Sequence, residues 1–205
     1  MVLEIETSAM QLRLAGDLTE IDLAALQGLW SEAQYLRLTA HTLRLIEFTD
    51  GVLEVLPMPT RKHQAISRWL LFALVAMIHP AGGDVFYAPL RLRVGPGKYR
   101  EPDLLALLDR RDPRNGDAFW LGADLVVEIV SPDNPLRDTQ VKRVDYAEAG
   151  IAEYWIVNPL EDSITVLQLA GTAYREHGVF GRGEEATSAL LPGFAVPVAA
   201  VLDAE

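Results

Sequence analysis

Glu128 stands in Leu125-Val126-Val127-Glu128-Ile129-Val130, a run rich in β-branched residues and apolar at both parities, the pattern of a central strand covered on both faces. An ionised carboxylate is costly there unless a positive group meets it. Asp103 follows Glu101-Pro102 and opens a second apolar run, Leu104 to Leu108, so the two acids can project from neighbouring strands toward one ion. Carboxylates completed by waters and phosphate oxygens are what Mg²⁺ prefers at its octahedral site. Taken singly, either acid is better read as an arginine partner or a turn cap, since isolated carboxylates at strand ends are common.

Lys142 adds to this pair. The chain has three lysines, Lys62, Lys98 and Lys142, and the last lies in the helical segment directly after the Glu128 strand. A helix packed beside that strand can return a side chain to it. Asp138, Lys142 and Tyr146 follow at i, i+4 and i+8 and share one helix face. The ammonium would then stabilise charge developing on a phosphate or position a water. The plainer alternative is an Asp-Lys pair on a solvated face.

The whole chain carries 18 Lys and Arg against 29 Asp and Glu, a net charge of −11 that repels polyanions at long range. The balance is uneven. From Arg91 to Arg114 there are seven basic residues against four acids, and this island flanks Asp103. It suits contacts to a phosphate backbone, with Arg100 as the candidate substrate contact, although Arg-decorated exposed strands would look the same.

These side chains need elements to place them. Thr19 to Leu38 has the apolar spacing of one or two short helices, so residues 1–42 read as a helical lead-in to a single folded unit over 43–205. Leu43 to Leu56, broken by Asp50-Gly51, reads as a hairpin. Thr60 is a plausible N-cap for a helix whose apolar stripe runs from Ile66 to Met77 and stops before Pro80. Val85 to Val94 and Asp103 to Leu108 form a second hairpin-like pair, and Arg110 to Gly122 a loop. After the Glu128 strand, Leu136 to Ala149 reads as a helix stopped by Gly150, and Tyr154 to Val157 as another buried strand. From Arg61 to Val157 the order is helix, three strands, helix, strand; Ile164 to Leu167 and Ala173 to Phe180 add an antiparallel pair.

At 205 residues, half of them hydrophobic, the chain can bury a sizeable core. It lacks cysteine, which excludes disulfides, thiolate metal sites and thiol nucleophiles. The longest apolar run, Trp69 to Ile78, is ten residues, too short to cross a bilayer, and no signal-peptide pattern opens the chain. A cytoplasmic location without membrane insertion is the expectation. The apolar tail Leu190 to Leu202, or the strand pair after Asn158, offers a surface for a homodimer.

Pro102-Asp103, Val127-Glu128-Ile129-Val130-Ser131-Pro132, Asp138, Lys142, Tyr146-Ala147, Gly150-Ile151 and Glu153-Tyr154-Trp155-Ile156-Val157 together resemble the Uma-type putative restriction endonucleases, within the PD-(D/E)XK nuclease superfamily. Asp50-Gly51, Pro57, Pro59, His63 and Leu191-Pro192-Gly193 fall where that family has similar features. The resemblance implies an α/β, restriction-endonuclease-like fold: a mixed central sheet flanked by helices, with an added N-terminal hairpin and C-terminal strand pair. It also implies that Asp103 and Glu128 hold Mg²⁺ or Mn²⁺ in an endonuclease acting on nucleic acid, DNA first. One position departs from the superfamily: Val130 stands where the lysine usually follows the second acid. Lys142 from the next helix is the replacement, with Gln140 a weaker contact. Glu54 is preferred to Glu47 as a third metal carboxylate, and His63 is placed at the phosphate. The competing expectation is a catalytically degenerate nuclease fold that serves binding or assembly. A different metal hydrolase ranks last, because His41, His63, His79 and His177 form no pair at ligand spacing.

Overall fold

The computed structural model describes residues 26–205. The lead-in before Leu26 lies outside the described residues. A short helix, α1 (Glu32–Thr39), starts at a capping box in which Ser31 and Gln34 exchange hydrogen bonds. The hairpin follows as β1 (Ile46–Thr49) and β2 (Val52–Val55). Its turn requires left-handed backbone at both central positions, and Asp50 (φ 47°) and Gly51 (φ 88°) provide it. Gly51 also meets Gly28 so closely that a Cβ would sit 2.6 Å from the Gly28 carbonyl oxygen.

The long helix α2 (Arg61–Ile78) is capped by Thr60, whose hydroxyl accepts from the His63 N–H. Beyond it the strand count exceeds the expectation. Four strands stand where two were read: β3 (Asp84–Tyr87), β4 (Leu92–Gly95), β5 (Lys98–Arg100) and β6 (Leu104–Leu107). The middle two form a hairpin of their own and leave the central sheet, because β5 pairs with β1. Two sheets result, one of order β2-β1-β5-β4 and one built around β7 (Leu125–Ile129).

After β7 the chain makes a π-helical turn (Arg137–Val141) that leads into α3 (Lys142–Glu148), in place of one regular helix. This crossover brings β8 (Glu153–Asn158) back parallel to β7. Then β9 (Ser163–Ala170) and β10 (Ala173–Gly181) extend the sheet to six strands in the order β10-β9-β8-β7-β6-β3. A short pair, β11 (Glu185–Thr187) with β12 (Ala195–Pro197), and α4 (Val198–Leu202) end the fold.

Alternation along β7 sorts two cores. Leu125, Val127 and Ile129 face α2 with Ile66, Leu70 and Leu74, whereas Val126 and Val130 face the α3 side with Tyr146 and Tyr154. The C-terminal tail joins the first core: Leu191, Phe194, Val196, Val198, Val201 and Leu202 are all buried against this chain's own residues. The surplus apolar surface expected of Leu190 to Leu202 is therefore used internally and is not free for a second copy. Glu153 fastens the tail. Its fully buried carboxylate accepts from Trp155 Nε1, Ser188 Oγ and the backbone N–H groups of Ala189 and Leu190, all at 2.6–2.7 Å.

The small sheet has its own two faces. Ile46, Phe48, Leu53 and Tyr99 pack on Tyr35 of α1, whose hydroxyl donates to the Ile46 carbonyl. The opposite face carries Glu47, Glu54, Lys98 and Arg100, and it meets Arg137, Lys142 and Asp145 in a seam of ion pairs. Among the described residues no helix is long and apolar enough to cross a membrane.

Candidate active site

β6 and β7 are antiparallel with Leu104 opposite Val127, and Asp103 directly precedes β6 while Glu128 directly follows Val127 in β7. The Asp103 carboxylate accepts from the Ile129 N–H at 2.7 Å and lies 3.2 Å from His63 Nε2, which α2 supplies from its first turn. Burial pulls the His63 imidazole down, but the Asp103 carboxylate outweighs it and the net direction is up.

Glu128 projects to the α3 side and meets Lys142. Lys142 Nζ is 2.9 Å from Glu128 Oε1, 3.2 Å from Glu47 Oε1 and 3.2 Å from Asp138 Oδ1. Tyr146, one turn further along α3, donates its hydroxyl to Glu128 Oε1 at 2.5 Å. The alternative of a solvated Asp-Lys pair is excluded, since Lys142 is 2% exposed and Asp138 6%. Burial opposes the Lys142 ammonium, yet the three carboxylates hold its pKa above the ordinary lysine value. Burial drives Glu128 well up; Lys142 counters this, while Asp138, Asp103 and Glu47 add to it. Glu101, buried beside Glu47, is pushed up to about 8 by burial first and then by that neighbour.

Asp103, Glu128, Asp138, Lys142, Glu101 and His63 line a cavity of about 220 Å³ between α2, the β7 end and the π turn. Three other candidates stay out of it. Glu54 points to the seam and pairs with Arg137. Glu47, paired directly opposite Glu54 across the hairpin, takes the inner place because β1 is an interior strand and β2 an edge. Arg100 is buried and fully engaged with Asp145, Thr49 and the Phe48 carbonyl, so it braces the site and presents no face to a substrate. Gln140 sits exposed on the π turn, outside the cavity lining. Sequence reasoning undervalued Glu47, although Ile46-Glu47-Phe48 repeats the signal of Glu128, an acid between two apolar strand residues. Asp138 carried its signal in the spacing to Lys142.

The donors here are oxygens and one imidazole, the set for Mg²⁺ or Mn²⁺ and not for a thiophilic metal. Among the described residues no three acidic or imidazole groups converge closely enough to enclose an ion. Asp103 and Glu128 could hold one whose remaining ligands are waters or phosphate oxygens. The crowding fits such a cation: buried carboxylates outnumber the ammonium they share, and their upward shifts come from burial first and from neighbouring carboxylates second, both of which a divalent ion would offset.

Comparison with curated proteins finds no match. Among solved structures, the chain is similar to a putative nuclease of the DUF820 group from Anabaena variabilis, with a TM-score of 0.64 and 21% identity over 77% of this chain and 89% of that one. That likeness establishes the fold, a mixed central sheet flanked by helices with extra strand pairs. The Uma2 family, described as putative restriction endonuclease, matches residues 32–199, from the first turn of α1 to the start of α4. With most of its length matched in this way, the chain belongs to the Uma2 family of restriction-endonuclease-like proteins.

Proposed function

We propose that the chain is a divalent-metal-dependent endonuclease that hydrolyses nucleic-acid phosphodiesters, DNA first, in the cytoplasm. One observation carries the reading: Asp103, Glu128 and Lys142 line a single cavity, and Lys142 Nζ lies 2.9 Å from Glu128. The buried Val130 beside Glu128 is thereby compensated, because α3 delivers the cation that this position does not.

Asp103 and Glu128 would hold Mg²⁺ or Mn²⁺, which when bound neutralises phosphate charge and lowers the pKa of the attacking water. The remaining roles belong to the chain. Lys142 places its ammonium to stabilise charge that develops on the phosphate. Tyr146 and Asp138 hold Glu128 and Lys142 in place by the hydrogen bond and ion pair described above. His63, in the cavity lining, orients Asp103 through Nε2. Glu54, expected as a third metal carboxylate, is paired with Arg137, and Glu47 serves as a buried carboxylate that anchors Lys142.

The partner expected beyond nucleic acid is a second copy. With the tail consumed, the surface left for it is the exposed edge of β10, where Val179 is open to solvent. The test of the activity is incubation of the wild type with single- and double-stranded DNA and RNA in Mg²⁺ or Mn²⁺ over a range of salt. Cleavage that Glu128→Ala abolishes is the expected result. No cleavage of any substrate would leave the non-catalytic binding or assembly role as the better reading.

A further inference from the structure

The cavity that holds the acids is small, recessed and rimmed by apolar side chains, and each feature bears on what enters it. Its volume of about 220 Å³ lies below the roughly 300–1,000 Å³ of pockets for drug-sized ligands, so it takes one sugar-phosphate unit and not a duplex. The floor is deep, with Glu128 only 3% exposed. Two separate segments of the cavity lining are exposed to solvent. Met58, in the link between β2 and α2, is 75% exposed, and Leu160, in the turn between β8 and β9, is 55% exposed; both also line the cavity. Prolines stiffen both segments, Pro57 and Pro59 beside Met58 and Pro159 beside Leu160.

In a continuous duplex, stacking holds the neighbours of every phosphate at fixed spacing on a broad convex surface. Projecting rims would strike those neighbours before the phosphate reached a recessed floor. An unpaired strand can bend around each rim and lower one phosphate into the cavity. The charge distribution agrees. Duplex affinity comes from neutralising many phosphates. The basic residues lining this cavity are Lys62, His63, Arg137 and the engaged Lys142; Arg137 is already paired with Glu54, and the whole chain is at −11. Proteins that bind single strands combine a basic groove along the backbone with side chains, mostly aromatic, that cover base faces, and here the cover available is aliphatic. Met58 and Leu160 are apolar, exposed and adaptable, and only an unpaired strand has base faces to offer them.

Resting on the nuclease reading above, we propose that the substrate is an unpaired nucleic-acid strand, free or as a flap, and that Met58 and Leu160 select it by packing on the bases or sugars next to the scissile phosphate. The two residues act on specificity and touch none of the acids' hydrogen bonds.

The experiment compares one labelled sequence as a single strand, as a blunt duplex and as a duplex with a single-stranded flap, in DNA and RNA versions. Binding to the full chain is read by fluorescence anisotropy in Ca²⁺, and cutting on gels in Mn²⁺. The single strand and the flap should bind about tenfold or more tightly than the blunt duplex, in whichever sugar is preferred. The Met58→Ala, Leu160→Ala double variant should lose about tenfold in single-strand affinity with an unchanged thermal melt, as both side chains are largely exposed. Equal binding of blunt duplex and single strand, absence of binding to any of them, or a double variant with wild-type affinity would overturn the proposal. Preferential single-strand binding without any cutting would uphold it while removing the hydrolytic reading, so the two failures are distinguishable.

Discussion

At the scale of single residues, Lys142 and Glu128 are bonded to each other yet answer to different partners. Glu128 is assigned to the metal, Lys142 to the substrate. Glu128→Gln should therefore abolish Mn²⁺ binding measured by calorimetry and keep the fold, because it removes a costly buried charge and retains the shape. Lys142→Met should keep Mn²⁺ affinity and lose cleavage. It should also cost about 3–5 kcal/mol in urea denaturation at pH 8, with a smaller loss at pH 5, where the orphaned Glu128 and Asp138, both already shifted upward, can take up protons. Equal loss of metal affinity in both variants would show that the roles are not divided in this way. Glu101 makes a separate claim. Its folded pKa of about 8 lies above the ordinary 4.5, so the folded state holds a proton that the unfolded chain releases. Its stabilising contribution is complete below about 4.5 and is lost as pH rises through about 8, and Glu101→Gln should flatten stability against pH across that window.

At the scale of elements, the seam between the small sheet and α3 sets the positions of Glu47 and Lys142. Asp145 is its hub, bonded to Arg100 Nη2 at 2.6 Å and to Lys98 Nζ at 3.0 Å. Burial would raise the Asp145 carboxyl, but Arg100 and then Lys98 overcome this and hold it below its ordinary value. A lowered folded pKa gives stability that is present above the unfolded value and lost as pH falls through the folded one. Asp145→Asn should thus cost about 3 kcal/mol at pH 7, since Arg100 is left buried with Glu47 at 3.8 Å as its remaining acid, and the gap from wild type should close in acid. The Glu153 clasp acts on another element. Glu153→Ala strands the Trp155 indole N–H and the Ala189 N–H, leaves the Leu190 N–H only its bond to Ser188 Oγ, and should lower stability by about 3 kcal/mol while exposing the tail after Ser188 to protease. Unchanged proteolysis of that tail would show that its packing into the α2 core holds it without Glu153.

At the scale of the whole molecule, the chain joins two sheets whose contact creates the site: neither sheet alone encloses Lys142 with acids. The edge of the large sheet at β10 is the one remaining place assigned to self-association. Light scattering should report a dimer at micromolar concentration, and Val179→Lys should convert it to a monomer by placing a charge on that edge. A wild-type monomer at that concentration would remove the homodimer from the account.

The strand around Glu128 and the helices beginning after Thr60 and Leu136 were legible in the chain, because each rests on local pattern, whereas the Asp103, Glu128, Lys142 set was picked out by the family resemblance added to that pattern. Alternation, caps and an acid inside an apolar run are written within a few residues of one another. The second sheet was not legible, since Leu92 to Arg100 reads as strand whichever sheet receives it, and only pairing of β5 with β1 decides. That same long-range pairing chose Glu47 over Glu54. The two acids face each other across one hairpin with similar apolar neighbours, and it is the interior position of β1 and the edge position of β2 that send one to Lys142 and the other to Arg137. The basic island likewise announced Arg100 as a surface charge, whereas the seam buries it against Asp145. What the sequence determined by itself is which residue types could do chemistry and which elements carry them; which charges end up buried together was decided by tertiary structure, because burial is a property of the surfaces that meet and not of the segment that bears the charge.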